Sequence, residues 1–308
     1  MKKTLSTILL ITTGVSSALA ADLPSRKEPV VAPPPSSTWT GFYAGLNAGG
    51  TWANNNSVNI TTFPFTPGTN GGYWQTASQA TGSVQTGNNG GFIGGGQIGY
   101  NWQARFGGYN FVTGVEADIQ GIAGGNGSGS RGLFNVIPVG AAGNNLSSVT
   151  ANTSLSWIGT VRGRIGYVVT PAILVYGTGG LAYGGANMKV STFQNLQDHE
   201  LQPFDMTLTS TAFGSSNISS TPVGWTAGGG VEWMFMPNWS AKAEYLYYNL
   251  GNQNTNTVTT GFGYLNSSYI GAKSLYSSTA STNFTGNIVR AGVNYHFNFA
   301  SAPVVAKF

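Results

Sequence analysis

Residues 156–169 read SWIGTVRGRIGYVV, and the two faces of this stretch decide what kind of fold the chain can adopt. Taken as a strand, with successive side chains on opposite sides, it places Trp157, Gly159, Val161, Gly163, Ile165, Tyr167 and Val169 on one face. Thr160, Arg162 and Arg164 fall on the other. A soluble sandwich would turn its polar face to water and stud it with charge, as ordinary soluble domains do with about 25% charged residues. Here only 7% of residues are Asp, Glu, Lys or Arg. The pattern fits a strand whose apolar face meets lipid and whose polar face turns inward.

Seven further segments alternate in the same way: TWTGFYAGLNAGGTW (38–52), GFIGGGQIGYNWQ (91–103), FVTGVEADIQG (111–121), AILVYGTGGLAYGG (172–185), VGWTAGGGVEWMFM (223–236), WSAKAEYLYYNLG (239–251) and NIVRAGVNYHFNF (287–299). Each is long enough to cross a bilayer as a tilted strand. The connections alternate in length: short turns at ARFGGY (104–109), at Thr170 and Pro171 and at Pro237 and Asn238, against long polar stretches at 53–90, 122–155, 186–222 and 252–286. No 3.6-residue periodicity competes. The sequence therefore predicts an all-β fold, an eight-stranded antiparallel transmembrane barrel with short periplasmic turns and four long extracellular loops. A further hairpin inside a long loop would raise the count to ten.

The ends of the chain carry export signals. Lys2 and Lys3 precede an apolar stretch from Leu5 to Leu19, and Ala18 and Ala20 form the small-residue pattern of a signal peptidase site. The expected organisation is a signal peptide over 1–20, a proline-rich periplasmic tether over 21–38, the barrel over 39–299 and a tail over 300–308. The absence of cysteine excludes disulfides and thiolate chemistry. Basic residues are sparse and scattered, so nucleic acid is not an expected partner.

WTGFYAGLNAGG (39–50), LVYGTGGLAYG (174–184), GWTAGGGVEWMFMPNWSAKAEYLYYNLG (224–251) and VRAGVNYHFNF (289–299) resemble the small OmpA-like, porin-family outer-membrane β-barrel proteins of Gram-negative bacteria. The resemblance implies both termini in the periplasm and localisation in the cell outer membrane. It also implies recognition by the barrel-insertion machinery through a C-terminal aromatic strand, for which Tyr295, Phe297, Phe299 and Phe308 are the candidates. Outer-membrane lipid is the expected surrounding. The tether is the expected route to any cell-wall contact, and oligomeric state is left open.

Glycines 94, 96 and 99 in GGGQIG have the spacing of a dinucleotide-binding turn. Such a turn must open a helix, whereas QIGYNWQ continues the strand alternation. The same glycine density recurs at 177–184 and 228–233, which points to strand packing inside a narrow barrel.

The inward parity of the strands gathers eight charges: Glu116, Asp118, Glu232 and Glu244 against Arg162, Arg164, Lys242 and Arg290. Enclosed charges need partners, so a neutralising network is the plain expectation. A constriction that sets ion preference is the functional version of the same network. Paired carboxylates free for acid–base catalysis are not expected beside four cations. Neither His199 nor His296 has partners at metal-ligand spacing, and no G-x-S-x-G elbow precedes a helix. No metal, cofactor or enzymatic activity is expected. The expected role is a surface protein contributing to envelope integrity. Alternatives are a narrow passive porin for ions or small hydrophilic solutes, with Gly95, Gly99, Thr178, Gly180 and Gly228 lining a thin path, or ligand or host-surface binding through loop aromatics such as Tyr73, Trp74, Phe193 and Phe204.

Overall fold

The computed structural model describes residues 38–65, 71–87, 90–137, 143–200, 206–265 and 268–297. The expected leader, with Ala18 and Ala20, and the tether up to residue 37 lie outside these residues, as do Phe204, Phe299, Phe308 and the 300–308 tail. The elements are β1 (Gly41–Ala53), β2 (Ser57–Pro64), α1 (Gly71–Ala80), β3 (Gly82–Gln85), β4 (Gly91–Phe106), β5 (Tyr109–Ala123), β6 (Asn126–Ile137), β7 (Gly143–Thr170), β8 (Ile173–Glu200), β9 (Met206–Ser220), β10 (Val223–Met236), β11 (Trp239–Leu265) and β12 (Ser268–Phe297).

Tight turns fix which strands are neighbours. Gly107 and Gly108, both at positive φ, join β4 to β5 as a two-residue hairpin, and Asn238 takes the left-handed position between β10 and β11. Antiparallel ladders then run β1–β4–β5–β7–β8–β10–β11–β12, and β12 pairs back onto β1. The described residues thus close a ring of eight strands.

The stretches expected as polar loops are largely strand. β7, β8, β11 and β12 are 28, 28, 27 and 30 residues long and continue well past the ring. β2 adds to β12, β3 to β2, β6 to β7, and β9 to both β8 and β11. The helix α1 also departs from the expectation of strands alone. It packs Ala77 with Ala212, Leu275 and Tyr276, and Ala80 with Val58, Val149 and Met188, among the inward faces of this second tier.

The two tiers meet at a level where strands break or bulge. β1 stops before Asn54, β5 before Gly124, and β9 gives way to β10 at Thr221 and Pro222. Ser156 is an unpaired residue between Leu155 and Trp157 on β7, and a second bulge lies between Asn249 and Asn252 on β11, where Gly251 is at φ +79°. Bridging hydrogen bonds hold this waist together: Asn54 N to the Thr285 carbonyl at 2.8 Å, Leu155 N to that of Gly125 at 3.1 Å, and Gly184 N to that of Pro222 at 3.3 Å.

The inside-out division of side chains ends at the waist. In the lower ring the outward residues are apolar and exposed, with Leu46 at 74%, Ile98 at 64% and Val161 at 50%, while Arg162, Glu116 and Glu232 are buried. In the upper tier Val58, Ile60, Val84, Val149, Ala151, Met188 and Val190 form an apolar cluster inside, beside buried polar residues such as Asn145, Gln194 and Thr259. There the outward positions of β9 and β11 carry Ser215, Asn217, Ser219, Asn252, Asn254 and Asn256.

Candidate functional site: a charge belt across the barrel

All eight charged residues singled out from the sequence lie on the inner surface of the lower ring, each no more than 5% exposed. β5 supplies Glu116 and Asp118, β7 Arg162 and Arg164, β10 Glu232, β11 Lys242 and Glu244, and β12 Arg290. Strand register sets Glu116 opposite Arg162 and Glu244 opposite Arg290. Cross-strand opposition of this kind is the ordinary unit of sheet pairing.

The contacts go further than neighbouring strands. Lys242 Nζ lies 2.9 Å from Glu116 Oε1, joining β11 to β5, which stand four strands apart on the ring of eight and so face each other across its full width. Arg290 reaches Asp118 at 3.0 Å and also binds Glu244. Arg162 binds Glu116, Asp118 at 2.8 Å and Glu244 at 3.1 Å. Arg164 pairs with Glu232 at 2.7 Å and lies over the Tyr176 ring at 4.0 Å. The belt is therefore a web of side chains spanning the bore, not a lining around it.

Several members escape a reading based on charge. Tyr43 donates its hydroxyl to Glu116 at 2.7 Å, Tyr176 to Glu244 at 3.0 Å and Thr160 to Asp118 at 2.8 Å. Glu232 accepts from Ser240 at 2.6 Å and Asn294 at 2.7 Å. Inward parity on β1, β7, β8, β11 and β12 is the signal that finds them, because these side chains carry no charge to mark them. Every strand of the ring abuts the belt, β4 through Gln97, which hydrogen-bonds Asn47 at 3.0 Å and Asn294.

His296 is the one histidine of the site. Its Nε2 lies 2.9 Å from Ser240 Oγ and 3.4 Å from Glu232 Oε1. A nucleophilic triad needs the carboxylate on the far ring nitrogen, where it orients the imidazole toward the hydroxyl. Here hydroxyl, carboxylate and imidazole nitrogen converge on one another, and Ser240 is fully buried. This is a hydrogen-bonded knot. His199 lies at the far end of β8, remote from the belt. Among the described residues no group of His, Asp or Glu has metal-ligand geometry.

Apolar layers cover the belt on both sides. Toward the short turns, Trp39, Val112, Val168, Leu174, Tyr176 and Met234 pack together, with Trp39 fully buried and its ring edge-on to His296 at 5.8 Å. Toward the waist, Ile93, Ile158, Ala182, Leu246 and Ile288 form the second layer. The glycines considered as path-lining have another cause. A Cβ on Gly95 would stand 2.0 Å from the Ile119 carbonyl oxygen, and one on Gly228 2.0 Å from that of Tyr245. Close backbone approach in a tightly coiled barrel excludes any side chain there. Gly99 is covered by the Tyr43 ring, and Thr178 bonds the Gly163 carbonyl.

The outer surface of the ring gives the class. Exposed or half-exposed aromatics recur ten residues apart on single strands: Phe42 and Trp52, Phe92 and Trp102, Trp157 and Tyr167, Trp225 and Phe235. At an advance of about 3.3 Å per residue and a tilt of about 40°, ten residues rise roughly 25 Å, the height of the apolar band between the two aromatic girdles of an outer-membrane barrel. A closed antiparallel barrel with an apolar exterior of this height and charges inside is a membrane-spanning β-barrel.

Comparison with known proteins agrees. Residues 7–265 match the family described as Outer membrane protein beta-barrel domain, and the chain belongs to that family. It is 35% identical over 286 residues to the 31 kDa outer-membrane immunogenic protein of Brucella melitensis, covering 92% of this chain and 94% of that one. It is 32% identical over 155 residues to the 22 kDa outer membrane protein of Rhizobium leguminosarum bv. viciae, spanning 50% and 51% of the two chains. Among solved structures it is similar to the outer membrane protein OprG from Pseudomonas aeruginosa, at 11% identity and a TM-score of 0.34, covering 84% of this chain and 97% of that one. The protein is an outer-membrane β-barrel surface protein.

Proposed function

We propose that this is a closed surface barrel with a structural role in the envelope, and that it carries a rigid β-sheet projection outside the cell. The observation behind this is the Lys242–Glu116 bridge across the bore, both side chains at most 3% exposed. Eight strands enclose an interior that side chains can fill, and here they fill it in three layers. The short turns at Gly107, Pro171 and Pro237 then lie in the periplasm and the elongated end outside. Above the upper girdle β7 continues through Gly143–Ser156, roughly 35 Å of height at the same advance and tilt. Tyr295 and Phe297, outward on the last strand, serve insertion into the membrane. The neutralising belt replaces the porin reading, and no catalytic role is assigned to its carboxylates.

The Brucella relative's name calls it immunogenic. For this chain the projecting tier is the part that antibodies or host surfaces would meet. Single-channel recording of the refolded protein in planar bilayers tests the closed reading. The expected result is silence from protein shown to be folded. Stable conductance steps that change in Glu232→Gln and Arg162→Gln would restore the porin.

A further inference from the structure

The bulge that changes the parity of β7 also shapes the outer surface. Ser156 and Trp157 are consecutive residues that both reach the outside there, and two strands away β9 gives way to β10 at Thr221 and Pro222. Between these two defects lies a crevice of about 390 Å³, within the size range of small-molecule sites. Trp157, Gly185, Asn187, Ser219 and Thr221 line it. Gly185 stands opposite Trp157 in the β7–β8 ladder, and a Cβ there would lie 2.3 Å from the indole Nε1. The missing side chain lets the indole lie across the sheet, where Tyr183 props it edge-on at 5.9 Å.

The crevice is polar, uncharged and open to hydrogen bonding. Ser156 Oγ donates to the Gly185 carbonyl at 3.2 Å and Ser220 Oγ to Gln253 Oε1 at 3.0 Å. The indole N–H of Trp157 and the side chains of Asn187, Ser219 and Thr221 have no hydrogen-bond partner among the described residues. Asn187 and Ser219 are direct cross-strand partners, so their polar ends lie side by side. No Lys, Arg, Asp or Glu lines the crevice, and Lys189, the next outward residue of β8, lies outside it. Trp157 belongs to the aromatic girdle on the waist side, and girdle aromatics sit among lipid head groups. The crevice opens from that level upward.

We infer that this crevice binds a neutral sugar ring, presented by the head group of a membrane glycolipid. A sugar ring has an apolar C–H face and a rim of hydroxyls that both donate and accept. The half-buried indole takes the face and its N–H donates to the rim. The Asn187 amide offers a donor and an acceptor together, and the hydroxyls of Ser219 and Thr221 serve as either. A phosphate head group is the wrong occupant, because it calls for a cation that the lining lacks. A choline head group is wrong as well, because it calls for a cage of several aromatic faces and the lining has one.

The test uses the protein with isotope-labelled tryptophan in phosphatidylcholine nanodiscs, where the indole N–H resonance of Trp157 is identified by its loss in Trp157→Phe. Monogalactosyl diacylglycerol added to the discs should shift that resonance. Plain diacylglycerol and phosphatidylglycerol should not. Asn187→Ala should raise the galactolipid content needed for half the shift by about ten-fold, the effect of losing one hydrogen bond. Thr221→Ala, at the strand break, should act in the same direction, and Asn254→Ala on the outer face of β11 should change nothing; gel mobility shows that each variant is folded. No shift with the galactolipid, or an equal shift with diacylglycerol or phosphatidylglycerol, would overturn the site. A shift with free galactose and none with the galactolipid would overturn the glycolipid as its ligand.

Discussion

Below the waist the barrel is inside-out relative to a soluble protein; above it the same strands bury an apolar cluster among polar residues and lose that strict division of faces. β7 makes the contrast on a single chain segment. Residues 158, 160, 162, 164, 166 and 168 face in below the waist, whereas 145, 147, 149, 151, 153 and 155 face in above it. One unpaired residue, Ser156, changes the parity, and the bulge at Leu250 and Gly251 does the same for β11. Solvent dictates the difference. Lipid demands an apolar exterior and leaves polar groups to pair inside, while water allows the apolar interior to return.

Removing Ser156 is the severest way to break this comparison. The upper part of β7 would turn Val149 and Ala151 outward and lose its ladders to β6 and β8, so refolded protein should be absent by gel mobility or circular dichroism. A deletion that still folds would show that the parity change is dispensable.

Glu116→Ala comes next. It strips Arg162 and Lys242 of a shared buried partner and should cost about 3–5 kcal/mol in urea unfolding from lipid vesicles. The double change Glu116→Leu with Lys242→Met should cost much less, because the charges leave together. Equal losses would mean that the belt contributes by packing alone.

A third pair sharpens the boundary between the tiers. Val161→Arg, facing lipid, should destabilise by about 2–4 kcal/mol near the midplane. Thr150→Arg, outward on the same strand above the waist, should change stability by less than about 0.5 kcal/mol. Similar costs at both sites would erase the boundary. Smallest of all should be Asn254→Ala on the polar outer face, within about 0.5 kcal/mol.

The lower ring was legible because its alternation is steep: Val161, Ile165 and Val169 against Thr160, Arg162 and Arg164 leave one assignment of faces. The eight belt charges could be named from parity alone. The upper tier was far less legible: only PFDMTLTSTAF (203–213) is apolar enough to extend strands above the membrane, and β9 lies there. In Gly143–Leu155 the inward Asn145, Ser147 and Thr153 differ little from the outward Asn144, Ser148 and Ser154, so period two has almost no amplitude. The helix Gly71–Ala80 has no acidic residue in its first turn and no basic residue in its last, and only ten residues in which to show a period.

By itself, then, the sequence determined the class of fold, the face that meets lipid and the set of charges turned inward, because lipid imposes a strict two-residue rule on every crossing strand. Only the tertiary structure decided that Lys242 reaches Glu116 across the bore, that Tyr43 and Tyr176 complete the belt and that the barrel continues past the membrane. Those depend on register, ring closure and two bulges. Each arises from pairing between segments far apart in the chain, and local pattern carries no record of it.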